Sequence, residues 1–216
     1  MKRTRLERPP AHWVPPPGPI APGLRIGLLG GSFNPAHDGH LYVSEVALKR
    51  LGLDYVWWLV TPQNPLKDAE GMGALAQRVR DAKRVARHPR IIVMDIERDF
   101  RTHYSIDTLR ALQKRFPLVK FVWLMGSDNL AIFRRWRRWA DFAKRVPIAV
   151  IQRPGTVLAA LNSKPIQRFG RSPLRRGIVG ARPPAILILD GHRNAQSATA
   201  IRASLRFAEG FVGALP

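Results

Sequence analysis

From Leu24 onward, short apolar runs alternate with longer stretches of helical period. Leu24–Gly30, Tyr55–Val60, Ile91–Ile96, Lys120–Met125, Val146–Ile151 and Ala185–Leu189 are rich in Val, Ile and Leu and are bounded by Gly, Pro or charge, so they read as buried strands. Between them, Leu41–Leu51 carries Leu41, Leu48 and Leu51 on one face. Ala74–Arg87 does the same with Leu75, Val79, Ala82 and Ala86, and Ser105–Phe116 with Ile106, Leu109 and Leu112. These spacings predict helices. Strands that are apolar throughout and separated by helices imply a parallel sheet covered on both faces, with right-handed crossovers. The pattern therefore predicts an α/β fold: a doubly wound, Rossmann-like parallel sheet with helices on both faces. Ligands of such sheets bind beyond the carboxyl ends of the strands, where strand order reverses. That directs attention to Gly31–His40, Thr61–Lys67, Gly126–Asn129 and Asp190–Thr199.

The chain has 216 residues, enough for one domain that removes roughly 70–75% of the unfolded surface from water. Residues 24–210 are read as that domain. Residues 1–23, basic and then proline-rich, read as a disordered or loosely docked tail without the apolar stretch of a secretory signal, and 211–216 as a C-terminal tail. Every long apolar run is interrupted by charge, Gly or Pro, so no membrane span is expected, and a cytoplasmic protein is. With no cysteine, thiolate catalysis, Cys-ligated zinc and iron–sulfur clusters are excluded. The formal charge of +21 would attract any polyanion. Arg153–Pro184, with seven Arg/Lys, no acid and no clear periodicity, reads as a basic insertion or mobile loop. Charge alone does not separate a small phosphorylated substrate from nucleic acid. No known DNA or RNA module, with its interleaved aromatic and basic residues, is recognisable, which argues against nucleic acid as the partner.

Two constellations could carry chemistry. Gly30-Gly31-Ser32-Phe33-Asn34-Pro35-Ala36-His37-Asp38-Gly39-His40 runs from the first strand into a helix. Its glycines allow close backbone approach, and a helix starting near Asp38 presents free N–H groups to an anion. It is neither a Walker loop nor Gly-x-Gly-x-x-Gly. Instead His37 and His40 flank a glycine, so both imidazoles can reach one phosphate and stabilise charge that grows during phosphoryl chemistry. A turn with one buried histidine, or a metal pair, fits the same four residues. The second constellation is Ser197-Ala198-Thr199-Ala200-Ile201-Arg202. Ser197 or Thr199 can cap a helix there and Arg202 can bind a phosphate through two N–H groups, although a plain cap with a solvated arginine explains the segment equally well.

Together, Gly31–Leu41 and Ser197–Arg202 resemble the nucleotidyltransferase superfamily marked by a His-x-Gly-His loop and a Ser/Thr-rich, Arg-bearing second motif. Thr102-His103-Tyr104-Ser105-Ile106-Asp107-Thr108-Leu109, Met125-Gly126-Ser127-Asp128-Asn129-Leu130 and Trp136 are similar to segments of bacterial nicotinate-nucleotide adenylyltransferases. The likeness spans Arg25 to Phe207. It implies adenylyl transfer from ATP to nicotinate mononucleotide, with Mg2+ bound through the ATP phosphates and no metal ligand from protein side chains. It further implies that His37 and His40 contact the ATP phosphates at the reacting centre, and that Gly31, Ser32 and Phe33 line the nucleotide groove. Arg202, with Ser197 and Thr199 beside it, would hold the departing pyrophosphate. On the acceptor side the resemblance assigns Lys67 to substrate phosphate and Trp136 to stacking on the pyridine ring. Thr102 falls to the nicotinate carboxylate, with Tyr104 in the same acceptor-binding loop and a cap around Ser105 as the alternative, and Asp128 to ribose hydroxyls or as an N-cap of a helix over Leu130–Trp136. Where the family often has His before the lysine, this chain has Leu66. Sister enzymes using nicotinamide mononucleotide or pantetheine phosphate share the chemistry and differ in the acceptor.

Overall fold

A computed structural model of the chain describes residues 16–62, 71–173 and 178–191. Six strands, β1 (Arg25–Gly31), β2 (Tyr55–Val60), β3 (Ile91–Met94), β4 (Lys120–Gly126), β5 (Ile148–Ile151) and β6 (Ile186–Leu189), form one sheet in the order β3-β2-β1-β4-β5-β6. Every neighbouring pair is parallel. The chain winds outward from β1 through β2 to β3, then returns to place β4 on the other side of β1. The switch point thus lies between the carboxyl ends of β1 and β4, as expected for a doubly wound sheet.

Successive strand residues point to opposite faces, and β2 uses this directly. Trp57 and Trp58 are both fully buried, yet Trp57 packs with Trp123, Phe116 and Phe121 in one core layer and Trp58 with Phe33, Val43 and Leu48 in the other. On the second layer lie α1 (Asp38–Leu51) and α2 (Leu75–Val85); the first holds α4 (Ser105–Arg115) and α6 (Trp139–Ala143). At the end of β1, a Cβ on Gly30 would approach Trp123 Cη2 to 2.8 Å, so only glycine lets that indole lie across the strand.

Several boundaries differ from the sequence pattern. The apolar run Ile91–Ile96 leaves the sheet at Met94, and Ile96 opens α3 (Ile96–Phe100); the side chain is buried under the sheet edge by a helix as well as it would be by a strand, and apolarity alone cannot separate the two. β5 begins at Ile148, after Pro147, which lacks the N–H needed for the ladder. α5 (Ser127–Ile132) starts three residues before the expected Leu130 and ends in a single 3₁₀ turn, Phe133–Arg135, so Asp128 lies inside its first turn and Gly126 is the N-cap. Within Arg153–Pro184, two short helices form, α7 (Val157–Leu161) and α8 (Lys164–Phe169). Among the described residues no helix is long and apolar enough to cross a membrane.

Candidate active site at the switch point of the sheet

The loop leaving β1 carries both histidines to the start of α1. His37 is the N-cap, and its Nδ1 accepts from the Gly39 N–H at 3.1 Å. His40 sits three residues on and its Nδ1 accepts from the His37 N–H at 3.3 Å. This is a reciprocal capping box built from imidazoles where Ser/Thr and Glu normally serve. Its chemical consequence is tautomeric. Because each Nδ1 accepts a backbone proton, a neutral imidazole must carry its own proton on Nε2, and both rings become donors there. The rings lie 3.9 Å apart between centroids at 44°. Burial pulls the pKa of His37 down from 6.5 to about 4; the Arg153 guanidinium acts in the same direction, while Asp38 and Asp128 oppose it. His37, 6% exposed, is neutral at pH 7.

The second core layer holds this pair in place. Phe33, at φ 47°, stacks on Trp58 with centroids 5.0 Å apart and lies 4.5 Å from the His40 ring. Trp58 Nε1 donates to Ser44 Oγ at 2.7 Å, and Ser44 Oγ donates to the His40 carbonyl at 2.9 Å. A central strand therefore grips the first turn of α1 through one hydroxyl.

Across the switch point, β4 ends at Gly126 and α5 begins. A Cβ on Gly126 would collide with Asp128 Oδ1 and approach Arg153 Nε to 2.8 Å, so glycine is required for Asp128 and Arg153 to close over the strand end. Arg153 Nη1 meets Asp128 Oδ2 at 3.4 Å, and Asp128 Oδ1 is buried with no hydrogen-bond partner among the described residues. Ser127 Oγ accepts from the Arg153 N–H at 2.8 Å and is hydrogen-bonded to Thr156 Oγ1 at 2.6 Å, tying α5 to the segment after β5.

Beyond β3, Thr102 and Tyr104 occupy the turn between α3 and α4 and are half-buried. Thr102 Oγ1 shares a hydrogen bond of 2.8 Å with Thr108 Oγ1, which donates to Glu97 Oε1 at 3.2 Å. Burial raises the Glu97 carboxyl from 4.5 to about 7, against the lowering effect of the Thr108 and Thr61 hydroxyls. Trp136, also half-buried, follows the 3₁₀ turn and meets Phe133, Phe142 and Trp123 edge-on at 5.2, 5.8 and 5.9 Å. The Arg137 guanidinium lies over the Tyr104 ring at 4.4 Å, which brings the Trp136 segment against the turn holding Thr102.

The cytidylyltransferase-like family matches residues 28–204. The chain belongs to the cytidylyltransferase-like family. A protein of Parvibaculum lavamentivorans described as a probable nicotinate-nucleotide adenylyltransferase is 50% identical over 187 residues, 85% of this chain and 93% of its own length. A Brucella suis protein with the same description is 48% identical over 183 residues, 83% of this chain and 94% of its own length. Among solved structures, a Plasmodium falciparum nicotinic acid mononucleotide adenylyltransferase complexed with NaAD shares the fold, with a TM-score of 0.62 at 15% identity over 83% of each chain.

For this cytidylyltransferase-like chain, Gly31, Ser32, Phe33, His37 and His40 lie together on one loop and helix start, and Asp128 lies across the switch point from them. Lys67, Ser197, Thr199 and Arg202 fall outside the described residues. Three ionisable residues near the strand ends escaped the sequence reading: Arg153, Glu97 and Arg78. Along the sequence Arg153 is only the first charge of a basic stretch. Arg78 carried a visible signal, since it falls at i+3 from Leu75 and i−4 from Ala82, inside the apolar stripe of α2.

Proposed function

We propose that this chain transfers the adenylyl group of ATP to nicotinate mononucleotide, yielding nicotinate adenine dinucleotide and pyrophosphate in the cytoplasm. The observation that carries this reading is the imidazole pair at the switch point, whose Nδ1 atoms are occupied by backbone N–H groups so that two Nε2–H donors belong to one helix start. It is supported by the shared description of relatives at 48–50% identity over most of the chain. In this reading the 5′-phosphate of the acceptor attacks the α-phosphorus of ATP in line, the bond to pyrophosphate breaks, and no covalent enzyme intermediate forms. Catalysis is then positioning and charge stabilisation. His37 and His40 donate to the phosphate oxygens on which charge develops, and a neutral His37 does so without changing its proton inventory.

Gly31, Ser32 and Phe33 line the nucleotide groove. Arg202, with Ser197 and Thr199, receives the pyrophosphate; Lys67 holds acceptor phosphate. Asp128, with Oδ1 lacking a donor among the described residues, suits a ribose hydroxyl, while Trp136 stacks on the pyridine and Thr102, with Tyr104 in the same turn, serves its carboxylate. In this reading Mg2+ would be carried by the triphosphate oxygens rather than by a protein cage. Bound in that way, Mg2+ neutralises phosphate charge.

The test is pyrophosphate release by the purified chain with ATP and each of three acceptors: nicotinate mononucleotide, nicotinamide mononucleotide and pantetheine phosphate. The acid form is expected to be fastest; a faster rate with either of the others reassigns the acceptor. Arg202→Ala is expected to raise KM for ATP by about 10-fold or more, the scale of a lost charge-assisted contact, with little change in KM for the acceptor. Unchanged ATP dependence removes Arg202 from the pyrophosphate site.

A further inference from the structure

Arg78 is 3% exposed and sits in the first turn of α2, yet no acid pairs with it among the described residues. Among the described residues its hydrogen-bond partners are backbone carbonyls. Nε donates to Gly73 O at 2.8 Å, Nη1 to Ser32 O at 2.6 Å and to Thr61 O at 2.8 Å, and Nη2 to Pro62 O at 2.7 Å. Four of the five guanidinium N–H donors are thereby used. Burying a cation away from any carboxylate is costly, and burial alone lowers its pKa; carbonyl dipoles converging on one plane offset that cost only with good geometry.

The carbonyls belong to three separate stretches. Ser32 follows β1 and leads into Phe33 and the histidine loop; Thr61 and Pro62 follow β2; Gly73 enters α2. Asn34 braces the same junction, its Nδ2 donating to Gly71 O at 3.0 Å and its Oδ1 accepting from the Gly73 N–H at 3.3 Å. Thr61 also donates its N–H to Gly31 O at 2.9 Å.

We propose that Arg78 is a positioning residue for phosphoryl transfer: its guanidinium sets the spacing between the nucleotide loop after β1 and the acceptor loop after β2. This rests on the functional reading above, in which Ser32 and Phe33 line the ATP groove and the segment beyond Pro62 leads to Lys67. Neither loop would lose its own ligand contacts without Arg78. What would be lost is their relative placement, on which in-line attack depends; a misplacement of about 1 Å can cost about 100-fold in rate. Lysine keeps the charge but offers one nitrogen in place of a planar fork, so it cannot reach carbonyls on three stretches at once.

The experiment compares the full chain with Arg78→Lys and Arg78→Ala. Turnover, the affinity for ATP alone and for nicotinate mononucleotide alone, and the melting temperature are measured for each. Arg78→Lys is expected to stay folded and lose about 100-fold in kcat, with each separate affinity within about 3-fold of the unmodified chain. Millimolar methylguanidinium is expected to restore part of the kcat of Arg78→Ala; if that variant does not fold, the lysine variant decides. A lysine variant with kcat within about 3-fold of the unmodified chain overturns the proposal and leaves charge or simple core filling as the role of Arg78. Loss of both affinities in proportion to the folded fraction overturns it too. Should the unmodified chain prefer another acceptor, the acceptor assignment fails by itself, and the same comparison run with that acceptor still judges Arg78. Should it use none, amide exchange of Thr61 decides: protection unchanged in Arg78→Lys overturns the clamp, whereas faster exchange supports it.

Discussion

His40→Ala is expected to lower turnover by at least about 100-fold while changing the melting temperature little. The size follows from removing one preorganised donor to an oxygen whose charge grows in the transition state, an effect of about 10²–10³ in kcat where such donors have been deleted. The small stability change follows from the capping geometry. His40 Nδ1 accepts the His37 N–H at 3.3 Å, and water can replace that contact at this half-buried position. The cap on Gly39, made by His37, is untouched. Loss of the reciprocal half of the box should cost about 0.5–1 kcal/mol. Steady-state turnover and a thermal melt on the same preparation check both halves. Near-normal turnover would take His40 out of the reacting centre and leave it a helix cap, whereas a collapsed melt would mean that the Phe33–His40–Trp58 stack carries more of the fold than its geometry indicates.

The second large effect concerns pH and stability. The Glu97 carboxyl, 3% exposed, titrates near 7 in the folded chain against an ordinary 4.5. The folded state therefore holds this proton over a range where the unfolded state has released it. Its contribution is fully present below pH 4.5 and is lost as pH rises to about 7, an effect of up to about 3 kcal/mol. Glu97→Gln removes this ionisation while keeping shape and an acceptor oxygen for the Thr108 and Thr61 hydroxyls. Its stability relative to the unmodified chain should improve by about 2–3 kcal/mol between pH 5 and pH 8, read from denaturant unfolding at both values. Parallel pH profiles for the two proteins would show that Glu97 ionises at an ordinary value. His37 tilts the other way: with its pKa lowered to about 4 from 6.5, its contribution is present above pH 6.5 and is lost as pH falls toward 4. The variant-to-parent comparison cancels that slope because both proteins carry His37.

The two tests probe parts of the site that differed in how visible they were along the chain. The histidine loop was legible because its chemistry is local. Gly39 sits between two imidazoles at a spacing that places both on one helix start, and only four residues are needed to see it. Glu97 was not, because nothing in its immediate neighbours marks it as buried, and for Arg78 the stripe of α2 marks burial without marking the partners. Glu97 follows an apolar run that continues a strand in sequence and a helix in space, and its hydroxyl partners come from β2's end and from α4. Arg78 lies in an apolar stripe, but its partners are carbonyls from residues 32, 61, 62 and 73, which meet only when β1, β2 and α2 are assembled. For Asp128 the N-cap alternative gives way, because α5 begins at Ser127, which leaves Gly126 as the N-cap and Asp128 inside the first turn.

By itself the amino-acid sequence determined the alternation of strand and helix, the parallel sheet and the histidine pair, because each depends on spacings of a few residues and on burial that apolar character announces. Tertiary structure alone decided which side of β1 received β4, the neutral Nε2–H state of His37, and the convergence of Arg78, Glu97 and Arg153 on the strand ends. Those features depend on desolvation and on backbone groups from distant segments. Both quantities come into existence only when the sheet has closed.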